Sequence, residues 1–219
     1  MLEGLDAVPW HQLHHAYGRA DDVPSLLRDV AIGSETVRER AIDQLFGCLD
    51  HQGTVYEASA FAVPFLAEIA GDRRTPFRWR VWVLVLLAGL ADGNEVSDGR
   101  YVLAARAAVA KELAVLLPLM NERGLDVAIA WIAGNCGPDG NPALPRIGDL
   151  ERSEPAKGRR LAFAIARGLI QAGRATATDL TEAAKLSEDF SDSKEGIEPN
   201  DSKRALEEIA SGELNQYLK

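Results

Sequence analysis

The chain has 219 residues, 47% of them hydrophobic and 26% charged, with a formal net charge of -9. That length can bury the core of one large or two small domains, and the hydrophobic share excludes a chain disordered throughout. The acidic balance argues against a general nucleic-acid binder, which needs Lys and Arg in excess on one face, and favours a basic partner drawn in by the field.

Ala and Leu abound, and no stretch alternates apolar and polar residues between hairpin turns, so helices are expected and strands are not. The first predicted helix covers residues 8–17, with His11 and His15 on one face and Gly18 as its stop. Asp21-Asp22 before Val23-Pro24 offers an N-cap and a first-turn proline for a helix over 23–32, which Gly33 ends. Ser34 caps the next, over 35–50. The run His51-Gln52-Gly53-Thr54-Val55-Tyr56-Glu57 then joins two units, Gly53 turning the chain and Thr54 capping a helix over 56–70. Helices follow over 76–91, 101–123 and 125–135. A loop over 136–155, glycine- and proline-rich at Gly137 to Pro142, precedes helices over 155–173, 177–187 and 201–217. The gap at 187–201 holds six acids against Lys194 and reads as a polar loop.

The longest apolar run, Val81 to Ala91, is eleven residues, whereas a bilayer-spanning helix takes about 20. Met1-Leu2-Glu3-Gly4-Leu5-Asp6 lacks a signal-peptide pattern, and Cys48 and Cys136 read as small buried hydrophobes in a reducing compartment. No membrane partner is expected, and the natural location is the cytoplasm.

The chain also repeats itself. Val23-Pro24-Ser25-Leu26 recurs 40 residues later as Val63-Pro64-Phe65-Leu66, and Arg38-Glu39-Arg40 recurs at the same offset as Arg78-Trp79-Arg80. Ile42, Leu45 and Phe46 then fall on Trp82, Val85 and Leu86, which places Trp82 in the core. A weaker third copy, Leu117-Pro118-Leu119-Met120, follows after 54 residues, with the extra length assigned to the polar stretch 92–100. Pro64 and Pro118 both fall inside predicted helices, where a proline removes a backbone hydrogen bond and kinks the axis.

A 40-residue helix pair with an internal proline resembles the HEAT-repeat superfamily over residues 21–135. Trp10, His15-Ala16-Tyr17-Gly18, Asp22-Val23-Pro24 and His51 to Tyr56 resemble small bacterial HEAT-like proteins, among which are immunity proteins that neutralise toxins. The resemblance implies an all-α solenoid of antiparallel helix pairs and a binding scaffold without catalytic residues. The expected organisation is one domain over 1–219, with units at about 21–50, 56–91 and 101–135 and irregular C-terminal helices over 155–217. HEAT-like iron hydroxylases rely on His-Glu dipeptides, which this chain lacks. HEAT-like DNA glycosylases need a basic groove with aromatic residues, for which Arg78, Trp79, Arg80 and Trp82 supply the residue types.

Chemistry is sparse. His11 and His15 have a metal-compatible spacing, but position 12 is Gln and no third ligand is evident, so no metal, cofactor or catalytic residue is expected. Arg160, Arg167 and Arg174, seven apart, read as a charged helix face paired with acids of the next helix, or else as a strip for anions or a partner. The expected function is therefore a non-enzymatic scaffold that binds a protein, such as a basic toxin held by occlusion. The competing expectations are a nucleic-acid-modifying enzyme of the glycosylase kind and a regulatory module of a larger assembly. The predicted contact residues are His51, Gln52, Tyr56, Glu57, Arg78, Trp79 and Arg80.

Overall fold

The computed structural model describes residues 2–93, 99–186 and 199–218, and most of these lie in α-helices. The sequence-predicted insertion at 92–100 and the acidic segment at 187–201 lie largely outside the described residues. Contacts divide the chain into two compact units, Met1–Leu116 and Leu117–Lys219.

In the first unit, 3-10 turns at Leu5–Ala7 and Trp10–Gln12 lead into a hairpin of β1 (His14–His15) and β2 (Gly18–Arg19). Helices α1 (Val23–Ile32) and α2 (Glu35–Leu49) follow, then a second hairpin of β3 (Asp50–His51) and β4 (Thr54–Val55). The unit closes with α3 (Glu57–Gly71), α4 (Phe77–Asp92) and α5 (Arg100–Leu116). Helix α1 packs on α2 and on α3, α2 on α4, and α3 on both α4 and α5. Pro64 sits inside α3 as expected, and Pro24 in the first turn of α1.

The burial pattern corrects the repeat. Val23, Leu26, Leu27 and Val30 of α1 match Val63, Leu66, Ala67 and Ala70 of α3, all buried, at the expected offset of 40. The second helices match instead at 42: Arg38, Ala41, Ile42, Leu45, Cys48 and Leu49 answer to Arg80, Val83, Leu84, Leu87, Leu90 and Ala91. The link between α3 and α4, residues 72–76, is longer than Gly33-Ser34 between α1 and α2, and it shifts the register. Arg38 is thus the counterpart of Arg80. Trp79 is buried, and Trp82 is only half-buried, packed edge-on against Phe46 at 5.9 Å.

Those arginines have one task in common. Arg38 donates from Nε to the Gly33 carbonyl at 2.7 Å and from Nη1 to that of Val30. Arg80 donates to the Ala70 carbonyl at 2.8 Å, and Arg106 of α5 to that of Ala91 at 2.9 Å. The last carbonyls of a helix have no partner within it and form the negative end of its dipole, so a guanidinium from the following helix satisfies both needs.

The N-terminal segment is not the expected helix. Trp10 is buried, donates to the Leu5 carbonyl at 2.8 Å and packs on Phe65. His15 is extended and buried: Nδ1 accepts the Tyr17 N–H at 3.0 Å, which puts the ring proton on Nε2, facing Asp22 Oδ1 at 2.9 Å. Asp22 therefore serves His15 with its side chain rather than capping α1. Ser34 likewise makes no side-chain cap. These tertiary bonds outweigh the helical spacing of the histidines, and His11 and His15 share no helix face.

In the second unit a 3-10 turn at Leu117–Asn121 holds Pro118, so the third proline is not a helix kink. Helix α6 (Leu125–Asn135) is buried along its whole length, as suits a helix apolar on every side. It packs against α8 (Lys157–Ala172) and α10 (Pro199–Leu218), with α7 (Leu144–Ser153) on α8 and the short α9 (Ala177–Ala184) on α8 and α10. The expected loop over 136–155 is in fact a 3-10 stretch, Gly137–Ala143, followed by α7. The proline at 145 lies in the first turn of α7, where it costs nothing.

Candidate functional site

The two hairpins of the first unit build a corner against α2. In β3–β4 the two central residues, Gln52 and Gly53, both have positive φ (53° and 80°), as a tight hairpin turn of right-handed strands demands. Ser59 holds the exit of the hairpin: its Oγ accepts the Tyr56 N–H at 2.9 Å and donates to the Leu49 carbonyl at 2.7 Å. The cap of α3 thus comes from Tyr56 and Ser59, and Thr54 belongs to β4. On α4, Gly89 leaves room for Asp50, whose carboxylate a Cβ there would overlap.

The first hairpin leans onto this base. The Ala16 N–H donates to the Cys48 carbonyl at 3.1 Å. Tyr17 Oη lies 3.2 Å from His51 Nδ1, the two rings meeting edge to face at 5.4 Å, and His14 faces Glu57 at 3.5 Å. Tyr17 is nevertheless 70% exposed. Between Tyr17 and α2 lies a cleft of about 440 Å³, lined by Tyr17, Asp22, Arg40, Asp43, Gln44, Gly47 and Cys48. Arg40, Asp43, Gln44 and Gly47 share one face of α2 by their spacing. The side chains of Arg40, Asp43 and Gln44 are exposed and form no hydrogen bond or ion pair with any described residue. Cys48 is buried at the base, and burial together with the charge of Asp22 pushes its thiol up to about 12. It is no nucleophile at neutral pH.

The predicted contact residues divide. His51 and Glu57 lie at the corner, Gln52 is exposed at its tip, and Tyr56 is half-buried at the cap. The other three are structural. Trp79 is 1% exposed and donates from Nε1 to Glu35 at 3.0 Å. Arg80 is 3% exposed and caps α3. Arg78, half-buried, pairs with the same Glu35 at 3.1 Å and stacks on the Trp79 ring. Register bears on Trp79: an offset of 40 aligns it with the exposed Glu39, whereas the offset of 42 aligns it with the half-buried Val37. The cleft is lined instead by Tyr17, Asp22, Arg40, Asp43 and Gln44, none of them among the predicted contact residues by name, although Arg40, Asp43 and Gln44 lie on the helix expected to line the inner surface. The polar stripe on α2 was legible in its spacing, but the hairpin facing it was not.

In the second unit the buried charges are spent internally. Arg159, 2% exposed, meets Asp126 through Nη2 and Glu154 through Nε at 2.8 Å. Asp126 also accepts the N–H groups of Gly124 and Val127, and Glu154 those of Ala156 and Arg123. Burial pushes the Glu154 carboxyl up, but Arg159, the Ala156 N–H and Arg123 outweigh it and hold it at about 2. Two of the three arginines in the expected row are also committed. Arg167 forks onto Glu151 at 2.7 and 3.0 Å, Arg160 donates to the carbonyls of Glu154 and Pro155, and Arg174 lies beyond the end of α8 at Gly173. The acidic partner comes from α7, the preceding helix.

Among the described residues no group of three or more His, Cys, Asp or Glu is placed to hold a metal, and no helix is long and apolar enough to cross a membrane. Comparison with protein-family models, with curated proteins and with solved structures finds no match.

Proposed function

We propose that the chain is a non-enzymatic scaffold of stacked helix pairs, related in kind to HEAT arrays, which holds a protein partner at the hairpin corner of its first unit. The observation that carries this reading is the stripe of uncommitted polar side chains, Arg40, Asp43 and Gln44, facing the exposed Tyr17 across a cleft. Other exposed polar groups of the unit, Asp29 and Glu39 among them, also stand without partners, but these three line a concave place, which can be completed from outside. Tyrosine held on two sides loses little freedom on contact, which suits it as an anchor.

The net charge of -9 favours a basic partner, arriving by electrostatic steering. Within this class the reading is an inhibitor of the immunity kind that covers a basic working surface. The nucleic-acid enzyme loses its support, because Arg78, Trp79 and Arg80 are tied to Glu35 and to the end of α3.

Affinity capture at native expression levels tests the proposal, with Tyr17→Ala and Asp43→Arg as controls. The expected outcome is a specific protein that wild type recovers and both variants lose, while all three unfold at the same temperature. A partner retained by both variants would refute the corner as the contact surface.

A further inference from the structure

We infer that the cleft between β1–β2 and α2 seats a cationic side chain of the partner, an arginine or lysine, between the carboxylates of Asp22 and Asp43 with the Tyr17 ring as one wall. The inference rests on the scaffold reading and specifies the chemistry of the residue that enters.

Size comes first. A volume of about 440 Å³ open on one side admits a single long side chain and is too small for a folded element. Charge comes next. The lining holds two carboxylates against one guanidinium, and both carboxylates have capacity to accept. Asp22 gives Oδ1 to His15 and keeps Oδ2, with its side chain 56% exposed. Asp43 is bound to none of the described residues. Arg40 and Asp43 lie one turn apart on α2 without pairing, so Asp43 remains free to accept from an incoming donor.

The aromatic wall agrees with the charge. An exposed tyrosine ring attracts a cation over its face, and here the hydroxyl is engaged with His51 and the N–H of the same residue with His15. The ring is therefore fixed before anything binds. A neutral or anionic side chain would gain the ring and Arg40 but leave Asp22 Oδ2 and Asp43 facing it unpaired.

The test is a chemical-shift titration of the full-length, isotope-labelled protein with N-acetyl-arginine amide, alongside the neutral isostere N-acetyl-citrulline amide. The expected result is saturable shifts at Tyr17, Asp22, Asp43 and Gly47, at least about tenfold weaker for citrulline, as loss of a charge-assisted pair implies. Asp43→Asn should weaken arginine amide about tenfold, and Arg40→Gln should tighten it by removing a like charge. Equal binding of citrulline, or shifts that spread over the acidic surface without saturating, would overturn the cation seat. So would weaker binding in Arg40→Gln, which would mean a ligand carrying both charges.

The two readings fail separately. A captured partner that Tyr17→Ala loses but Asp43→Asn keeps overturns the seat and leaves the scaffold standing. Saturable arginine-amide binding, in a chain whose corner variants lose no partner, keeps the cleft as a cation site but overturns the corner as the contact surface and with it the partner's side chain as occupant.

Discussion

The corner of the first unit and the Arg159 cluster of the second use the same residue types to opposite ends. In the cluster an arginine and two carboxylates are buried and answer one another, with backbone N–H groups taking up the remaining lone pairs. At the corner an arginine and two carboxylates line a cleft, and among the described residues only Asp22 of the three has a side-chain partner. Burial makes the difference. A charge withdrawn from water must be met inside the fold, whereas a charge at an open cleft can wait for a partner.

Substitutions can break that contrast. The largest effect is expected from Arg159→Met, which strands Asp126 and Glu154 as uncompensated buried charges and should cost about 3–5 kcal/mol by urea unfolding. A loss below about 1 kcal/mol would mean the cluster is wet and the contrast false. Acid should act on the same cluster. Because the folded Glu154 titrates at about 2 and its ordinary value is 4.5, its contribution is fully present above pH 4.5 and is lost as pH falls toward 2. That loss amounts to about 3 kcal/mol at most, and Glu154→Gln should remove this part of the acid sensitivity. An unchanged acid profile in Glu154→Gln would assign the sensitivity elsewhere.

Next comes the pair of arginines that the repeat aligned incorrectly. Arg80→Met, which frees the Ala70 carbonyl at the end of α3, should cost about 1.5–3 kcal/mol of stability. Arg40→Met should stay within about 0.5 kcal/mol, as for an exposed group with nothing to lose. Similar losses in both would restore the 40-residue register. The smallest effect sharpens the corner itself. Gln52 has the left-handed backbone of a residue before glycine in a tight hairpin turn, so Gln52→Asn should stabilise the unit by about 0.5 kcal/mol in thermal unfolding. A loss of stability instead would show the amide or its longer stem to be bound at the tip.

Much of the helical layout could be read in advance because it follows from local rules. The helix over 23–32 was fixed by Pro24 and Gly33, and α6 by an apolar run after Gly124. What failed was decided at a distance. The helix expected over 8–17 gave way to a hairpin because His15 answers to Asp22 and Ala16 to Cys48. Helix α7 was hidden behind the glycine- and proline-rich run Gly137 to Pro142, although it starts directly after that run with Pro145 in its first turn, where a proline is welcome. The site suffered from both causes. His51 and Glu57 stood out by composition, but Tyr17 joins them only through the hairpin, and a link three residues longer than its counterpart shifted the register of α4, where Trp79 is buried.

The arginine clamps at the ends of α1, α3 and α4 reach main-chain oxygens of Val30, Ala70 and Ala91 rather than particular side chains. The receiving position is therefore indifferent to which amino acid occupies it, and the whole clamp is encoded by a single letter in the following helix. Successive helices can drift apart in spelling, and in the length of their links, while the joint between them is kept. Copies fastened in this way would look unrelated letter by letter long before they ceased to stack alike.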